Sequence, residues 1–237
     1  MPGNRALDAA IRFANVEQAA AALADRIAEI IGYAVQSRGR ASLLVPGGNT
    51  PKAVFASLRQ RELPWEKVYV SLTDERRVAS DDPASNARLV REHLLKDRAA
   101  AAHFYPLHRQ GVDERSDEAA CGAALGMLPR PFDAVILGMG EDGHIASMFP
   151  GDPALPRALS PKTEARCTTA TAPTEPSARL TLTLATLLES RWIALHIAGS
   201  AKWQTLEKAA KDNDPMAHPV AALLGQRQVP FHIYYSP

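Results

Sequence analysis

Cysteine is scarce in this 237-residue chain: Cys121 and Cys167 stand alone, with no C-x-x-C pairing. That excludes a zinc knuckle and gives no disulfide framework, so two buried thiols in a reducing compartment are expected. An excess of charge is lacking too. The 27 basic and 26 acidic residues leave +1, too little for a global attraction to nucleic acid or a membrane surface, so any anion binding has to be local. No apolar run approaches the roughly 18 residues needed to cross a bilayer. The N-terminal stretch carries Asp8, Glu17, Asp25 and Glu29 among its alanines, which is not the basic, apolar, small-residue order of a secretory signal. A cytoplasmic protein is expected. Repeats, low-complexity tracts and linkers are also missing, and the length is read as one domain over residues 1–237.

What is present is an alternation of two periods. Residues 15–37 place Val16, Ala20, Leu23, Ile27, Ile30, Ile31 and Ala34 at three- and four-residue spacing, which predicts an amphipathic helix. Short apolar runs follow at 41–45, 67–72, 132–139 and 191–199, with helical patterns at 51–61, 84–95, 117–128 and 201–211 between or after them. Strands of Val, Ile and Leu separated by helices imply an α/β class, with a mostly parallel sheet and helices on both faces. The segment 150–176 differs: it holds prolines at 150, 153, 156, 161, 173 and 176 and one plausible strand, 166–172. It is read as an excursion over the sheet edge or the site.

Ligands of open parallel sheets bind beyond the carboxyl ends of the strands, and four unusual loops fall there. In "VPGGNTPKAVF" (45–55) two glycines permit close backbone approach, Thr50 is placed to cap a helix and Pro51 suits its first turn. The N–H groups of Gly48, Asn49 and Thr50 would cradle an anion there; the plain alternative is a tight strand-to-helix turn. "LTDERRVASDDPASN" (72–86) crowds Asp74, Glu75, Arg76 and Arg77 at a strand end, as a solvated turn or as a clamp. Beside a phosphate cradle, the fork of Arg77 would match phosphate oxygens.

"LGMGEDGHIASMFPG" (137–151) meets the G-x-G-x-x-G spacing formally through Gly138, Gly140 and Gly143. It lies far from an initial βαβ unit, and no ribose-binding acid follows the next strand, so a dinucleotide site is not supported. His144 has Glu141 and Asp142 nearby but no second His or Cys at ligand spacing, which argues against a metal. A structural histidine and an acid–base imidazole both remain open. Ser147 sits in no G-x-S-x-G elbow. In "HIAGSAKWQTL" (196–206) Lys202 occupies a helix's first turn, against the dipole, a placement favoured only if an anion is near. With Arg77 and Arg179, it suggests a phosphorylated small molecule.

The set "VPGGNTP", "LTDERRV" with "DDPASNARLVREHLL", "DAVILGMGEDGHIASMFPG", "ARLTLT" and "AGSAK", in this order along nearly the whole chain, resembles the 6-phosphogluconolactonase family. The resemblance implies a Rossmann-like three-layer α/β/α fold shared with glucosamine-6-phosphate deaminase. It also implies metal-independent, cofactor-free hydrolysis of 6-phosphoglucono-δ-lactone in the oxidative pentose phosphate pathway. His144 matches the family's catalytic histidine, with Asp142 placed to orient it. Arg77, Arg179 and Lys202 match positions associated with substrate phosphate, and Gly48, Asn49 and Thr50 match the sugar-phosphate cradle. Asp74 aligns with the proton-transfer acid of the deaminase.

One imidazole suits the chemistry, because an ordinary histidine titrates near about 6.5 and serves in turn as base and acid. The expected partner is a sugar phosphate lactone, with no nucleic acid and no membrane, and a monomer is favoured. Two rivals are considered. The deaminase branch resembles D-G-H-I-A-F-N-E-P, whose late glutamate falls at Phe149 here, a side chain that carries no proton. A sugar-phosphate sensor would need a DNA-binding module, and the stretch before the first predicted strand at 41 is mostly filled by one helix.

Overall fold

The computed structural model describes residues 2–237. Along the chain run α1 (Pro2–Asp8), β1 (Ile11–Arg12), α2 (Val16–Arg38), β2 (Ala41–Val45), α3 (Pro51–Leu58), β3 (Val68–Leu72) and β4 (Asp74–Arg76). Then come α4 (Asn86–His93), β5 (His103–Phe104), α5 (Glu114–Gly126), β6 (Ala134–Leu137), α6 (Leu155–Leu159), β7 (Cys167–Thr171) and β8 (Ala178–Leu182). The last elements are α7 (Leu184–Leu188), β9 (Ile193–Ala198), α8 (Ser200–Asp212), α9 (Val220–Gly225) and β10 (Phe231–Ser236).

Seven strands form the central sheet in the order β1-β10-β9-β6-β2-β3-β5, with every neighbouring pair parallel. Each residue of β2 and β6 is buried, so these strands show no in–out alternation. That is the pattern of a sheet covered on both faces, and helices supply the cover in a Rossmann-like α/β arrangement. One group packs α2 against α3, and another packs α1, α8 and α9 together.

Helix α2 forms where its periodicity predicts it. Asn15 caps its start by accepting from the Gln18 N–H at 2.9 Å, and Gly39, at φ 77°, ends it in the left-handed conformation. Its face of Leu23, Ile27 and Ile31 is fully buried, each side chain contributing about 1.5–3 kcal/mol by leaving water. The expected strands and helices of the parallel layer all appear, with ends shifted by a few residues. Strand β10 was not legible as a strand in the sequence. "FHIYYS" lacks the aliphatic run of the other strands, and its six residues are held by register against β9, from Phe231↔Ile193 to Ser236↔Ala198.

Three expectations need correction. First, "LTDERRV" is not only a loop: it contains β4, which with β8 in "ARLTLT" and β7 makes a second, antiparallel sheet, with Asp74↔Thr181, Glu75↔Leu180 and Arg76↔Arg179 in register. Thr73 joins the two sheets, donating from its N–H to the Val45 carbonyl and accepting from the Leu182 N–H, each at 3.0 Å. Second, Thr50 does not cap α3. Its own backbone is already helical and its side chain makes no capping bond, while Pro51 does open the helix. Third, Cys121 and Cys167 are not free thiols but form a disulfide. Packing explains it: α5 lies on β7, and Cys121 belongs to the buried stripe Asp117, Cys121, Leu125 of that helix. The two residues, 46 apart in sequence, meet only through this packing.

The bridge has a measurable consequence. The folded protein, denatured without reductant, should release no free thiol to a colorimetric reagent. Replacing both cysteines by serine should lower the urea midpoint, the lost chain-entropy term for so long a loop being at most about 4 kcal/mol. Two titratable thiols in the unreduced protein would refute the pairing.

Candidate active site

A cavity of about 320 Å³ opens where the loops after β2, β6 and β9 converge with the second sheet. The strand order explains its place. The chain leaves β2 towards β3 on one side, while β6 and β9 lie on the other, so the loops part at a topological switch point.

The loop after β6 supplies the imidazole. His144 Nδ1 lies 2.6 Å from Asp142 Oδ1, and the His144 N–H also donates to that oxygen at 3.1 Å. A carboxylate only accepts, so Nδ1 carries the hydrogen and Nε2 is left as the free nitrogen. Burial pushes the Asp142 carboxyl up, but the hydrogen bond and charge of His144 outweigh it and hold the group below the usual aspartate range. Glycine is required beside the pair: a Cβ on Gly140 would collide with the His144 ring and with Asp142. On its other side the ring packs against Phe149, with centroids 4.6 Å apart.

The loop after β2 supplies backbone. Gly48 takes φ 92°, and a Cβ on Gly47 would strike the Asn86 amide. The N–H groups of Gly48, Asn49 and Thr50 have no acceptor within the protein among the described residues. They line the cavity at the start of α3.

The second sheet supplies charge. Asp74 is buried and accepts from Ser147 Oγ at 2.6 Å. Arg76 donates to the Ala84 carbonyl and to Asn86 Oδ1, and its cross-strand neighbour Arg179 lies 7% exposed over the Phe149 ring. Arg179 Nε has no hydrogen-bond partner among the described residues. Burial first, and then the adjacent charge of Arg76, pull the Arg179 pKa below its ordinary value, with Asp74 and Glu75 offsetting part of this. Two neighbouring guanidiniums without a carboxylate hydrogen bond, and Lys202 from the first turn of α8, make an anion-seeking wall.

Glu75 faces away from the cavity and holds this wall in place. It accepts from the N–H groups of Arg76, Asn86 and Ala87, each at 2.7 Å. It thereby ties β4 to the N-terminus of α4. Burial raises its pKa, and those three donors oppose the rise.

The comparisons with known proteins agree with this architecture. A family model described as glucosamine-6-phosphate isomerases/6-phosphogluconolactonase matches residues 14–231. The chain belongs to that family. A 6-phosphogluconolactonase of Rhizobium meliloti (strain 1021) is 42% identical over 95% of this chain and 97% of its own. The crystal structure of a 6-phosphogluconolactonase from Shewanella baltica OS155 superposes with a TM-score of 0.92 at 40% identity, covering 95% of this chain and 96% of that one. A monomeric glucosamine-6-phosphate deaminase, 21% identical over 94% of this chain and 96% of that one, shares the fold with a TM-score of 0.72.

Of the residues singled out in the sequence, His144, Asp74, Gly48, Asn49, Thr50, Arg179 and Lys202 line the one cavity, and Asp142 stands behind His144. Arg77 does not join them. It points across to α5, donating from Nε to Asp117 at 2.9 Å and from Nη1 to Glu114 at 3.3 Å. Burial works against the Asp117 charge, yet His108, the Arg109 N–H and Arg77 hold that carboxyl below its usual range. Arg76 takes the cavity position instead. Strand alternation carries the signal for this: on β4, Asp74 and Arg76 share a face and Glu75 does not. No group of three or more His, Cys, Asp or Glu side chains is arranged to hold a metal ion among the described residues.

His196, at the β9 edge of the cavity, was not singled out. It is 2% exposed, and neither ring nitrogen has a partner among the described residues. Burial, reinforced by Lys202, pushes its pKa down from 6.5 to about 4. As pH falls, the unfolded chain therefore takes up the proton first, so the neutral His196 contributes stability that is complete above about pH 6.5 and lost on descending through about 4. We expect His196→Leu to flatten the fall in unfolding free energy across that window by about 3 kcal/mol. Urea titrations at several pH values measure this, and parallel curves for wild type and variant would contradict it.

Proposed function

We propose that this chain hydrolyses 6-phosphogluconolactone to 6-phosphogluconate, as its curated relatives are named to do, within the oxidative pentose phosphate pathway. The observation that carries the reading is the meeting, in one cavity, of a histidine–carboxylate pair and a wall of arginines lacking a carboxylate hydrogen bond. A phosphorylated lactone needs both ends.

In the proposed reaction, the phosphate rests against Arg76, Arg179 and Lys202, which places the lactone carbonyl beside His144. Nε2 of His144 accepts a proton from water as the water oxygen bonds to C1. The resulting oxyanion is stabilised by backbone N–H groups such as those of the Gly48–Thr50 loop, a contribution of about 3–4 kcal/mol for a well-placed donor. The C1–O5 bond then breaks, and the imidazolium returns its proton to the departing O5, giving the open-chain acid, which ionises in water. Asp142 keeps Nδ1 protonated throughout and stabilises the imidazolium. Phosphate anchoring contributes orientation rather than chemistry. Phe149 packs against His144 where the deaminase pattern has glutamate, and its side chain carries no proton for the amino-sugar ring opening of that branch.

A stopped assay of lactone hydrolysis, corrected for the spontaneous reaction, tests the proposal. His144→Ala should lose at least about 100-fold in kcat, and a near-normal rate would refute the role. Arg76→Ala should raise KM by about tenfold or more, as expected for a lost charge-assisted hydrogen bond. Arg77→Ala should leave KM alone and lower only the melting temperature. Ammonia release from glucosamine 6-phosphate would favour the deaminase branch instead.

A further inference from the structure

Three consecutive carbonyls of the loop that presents the imidazole are each held by a donor from the C-terminal part of the chain. Thr205 Oγ1, on α8, donates to the Glu141 carbonyl at 2.8 Å. The Val220 N–H, opening α9, donates to the Gly143 carbonyl at 3.0 Å. Between them, His218 Nδ1 lies 3.3 Å from the Asp142 carbonyl. A carbonyl has no hydrogen to give, so His218 is the donor and its Nδ1 is protonated.

His218 is the side chain built most closely into this arrangement. Its own N–H donates to the Asp214 carbonyl at 2.9 Å, and its Nε2 faces Asp212 Oδ2 at 3.7 Å. The ring is only 12% exposed. Gly143, at φ 84°, lies flat against it: a Cβ there would come within 3.2 Å of His218 Cβ and Nδ1. The turn is tight on its inner side, where Gly143 N–H donates to the Gly140 carbonyl and Gly140 N–H to the His144 carbonyl. With the inner side closed in this way, the outward carbonyls are the remaining means of fixing the turn's tilt. The Asp142 peptide belongs to the residue whose carboxylate holds His144 Nδ1, so a rotation of that peptide moves the carboxylate and the ring together.

We propose that His218 is a positioning residue for the His144–Asp142 pair, acting through its hydrogen bond to the Asp142 carbonyl. It touches neither the cavity nor a reacting atom. The proposal rests on the reading of His144 as the base of lactone hydrolysis, but its first readout does not depend on any substrate.

The test follows the Nδ1 proton of His144 by NMR, alongside lactone kinetics, in wild type, His218→Ala and His218→Asn. Loss of the donor in His218→Ala should shift or broaden that resonance and lower kcat by about tenfold, with KM changed less than about twofold. Asparagine places an N–H donor where Nδ1 stood and should restore both. An unshifted His144 resonance with normal kcat in His218→Ala would overturn the proposal, as would an asparagine variant no better than alanine. If wild type turned over no lactone, the proposed reaction would fall, while the resonance would still decide whether His218 positions the pair.

Discussion

Between β2 and β6 the connections leave the central sheet on opposite sides, so the loops above those strand ends part and leave space that neither fills. The backbone and imidazole parts of the candidate site are responses to that parting. Gly47 and Gly48 bring bare backbone to one lip, and Gly140 and Gly143 let the other lip fold tightly enough to carry His144 against Asp142. Strand β9, beside β6, adds the positive start of α8 and Lys202. The parallel layer thus provides the His144 imidazole and the backbone donors, on the loops that follow its strand ends.

Charge comes from elsewhere. The small antiparallel sheet is continuous with the large one through the Thr73 peptide, and its register sets Arg76 beside Arg179. Like charges side by side, one of them almost wholly buried, oppose folding unless something offsets them. The carboxylates of Asp74 and Glu75 supply part of the offset. The proposed phosphate would supply the rest. Glu75 keeps the wall rigid by spending its own oxygens on three backbone donors rather than on either arginine.

Much of this was legible in the residues, and the failures have identifiable causes. His144 and Asp142 are two apart in sequence, so a local turn suffices to bring them within reach of each other. The charged run 74–77 reads as a loop in the sequence; as a strand it turns Arg76 towards the cavity, and Arg77, just past its end, reaches Asp117. Cysteine spacing carries no sign of the pairing, because a bridge across α5 and β7 depends on packing between elements that spacing does not report. His196 and His218 carry no motif. One is defined by the burial of its ring, the other by a carbonyl 76 positions away.

The parallel α/β layer and the loops that line the cavity were legible in the residues alone, because both depend on local periods: apolar runs, helical spacing, and glycines where backbone must come close. Tertiary packing was needed for the second sheet, the disulfide, the placement of Arg76 rather than Arg77 at the cavity and the contact of His218 with the Asp142 carbonyl. Each of these is a contact between segments far apart in the chain, and such contacts exist only once the hydrophobic core has set the distances and directions between elements.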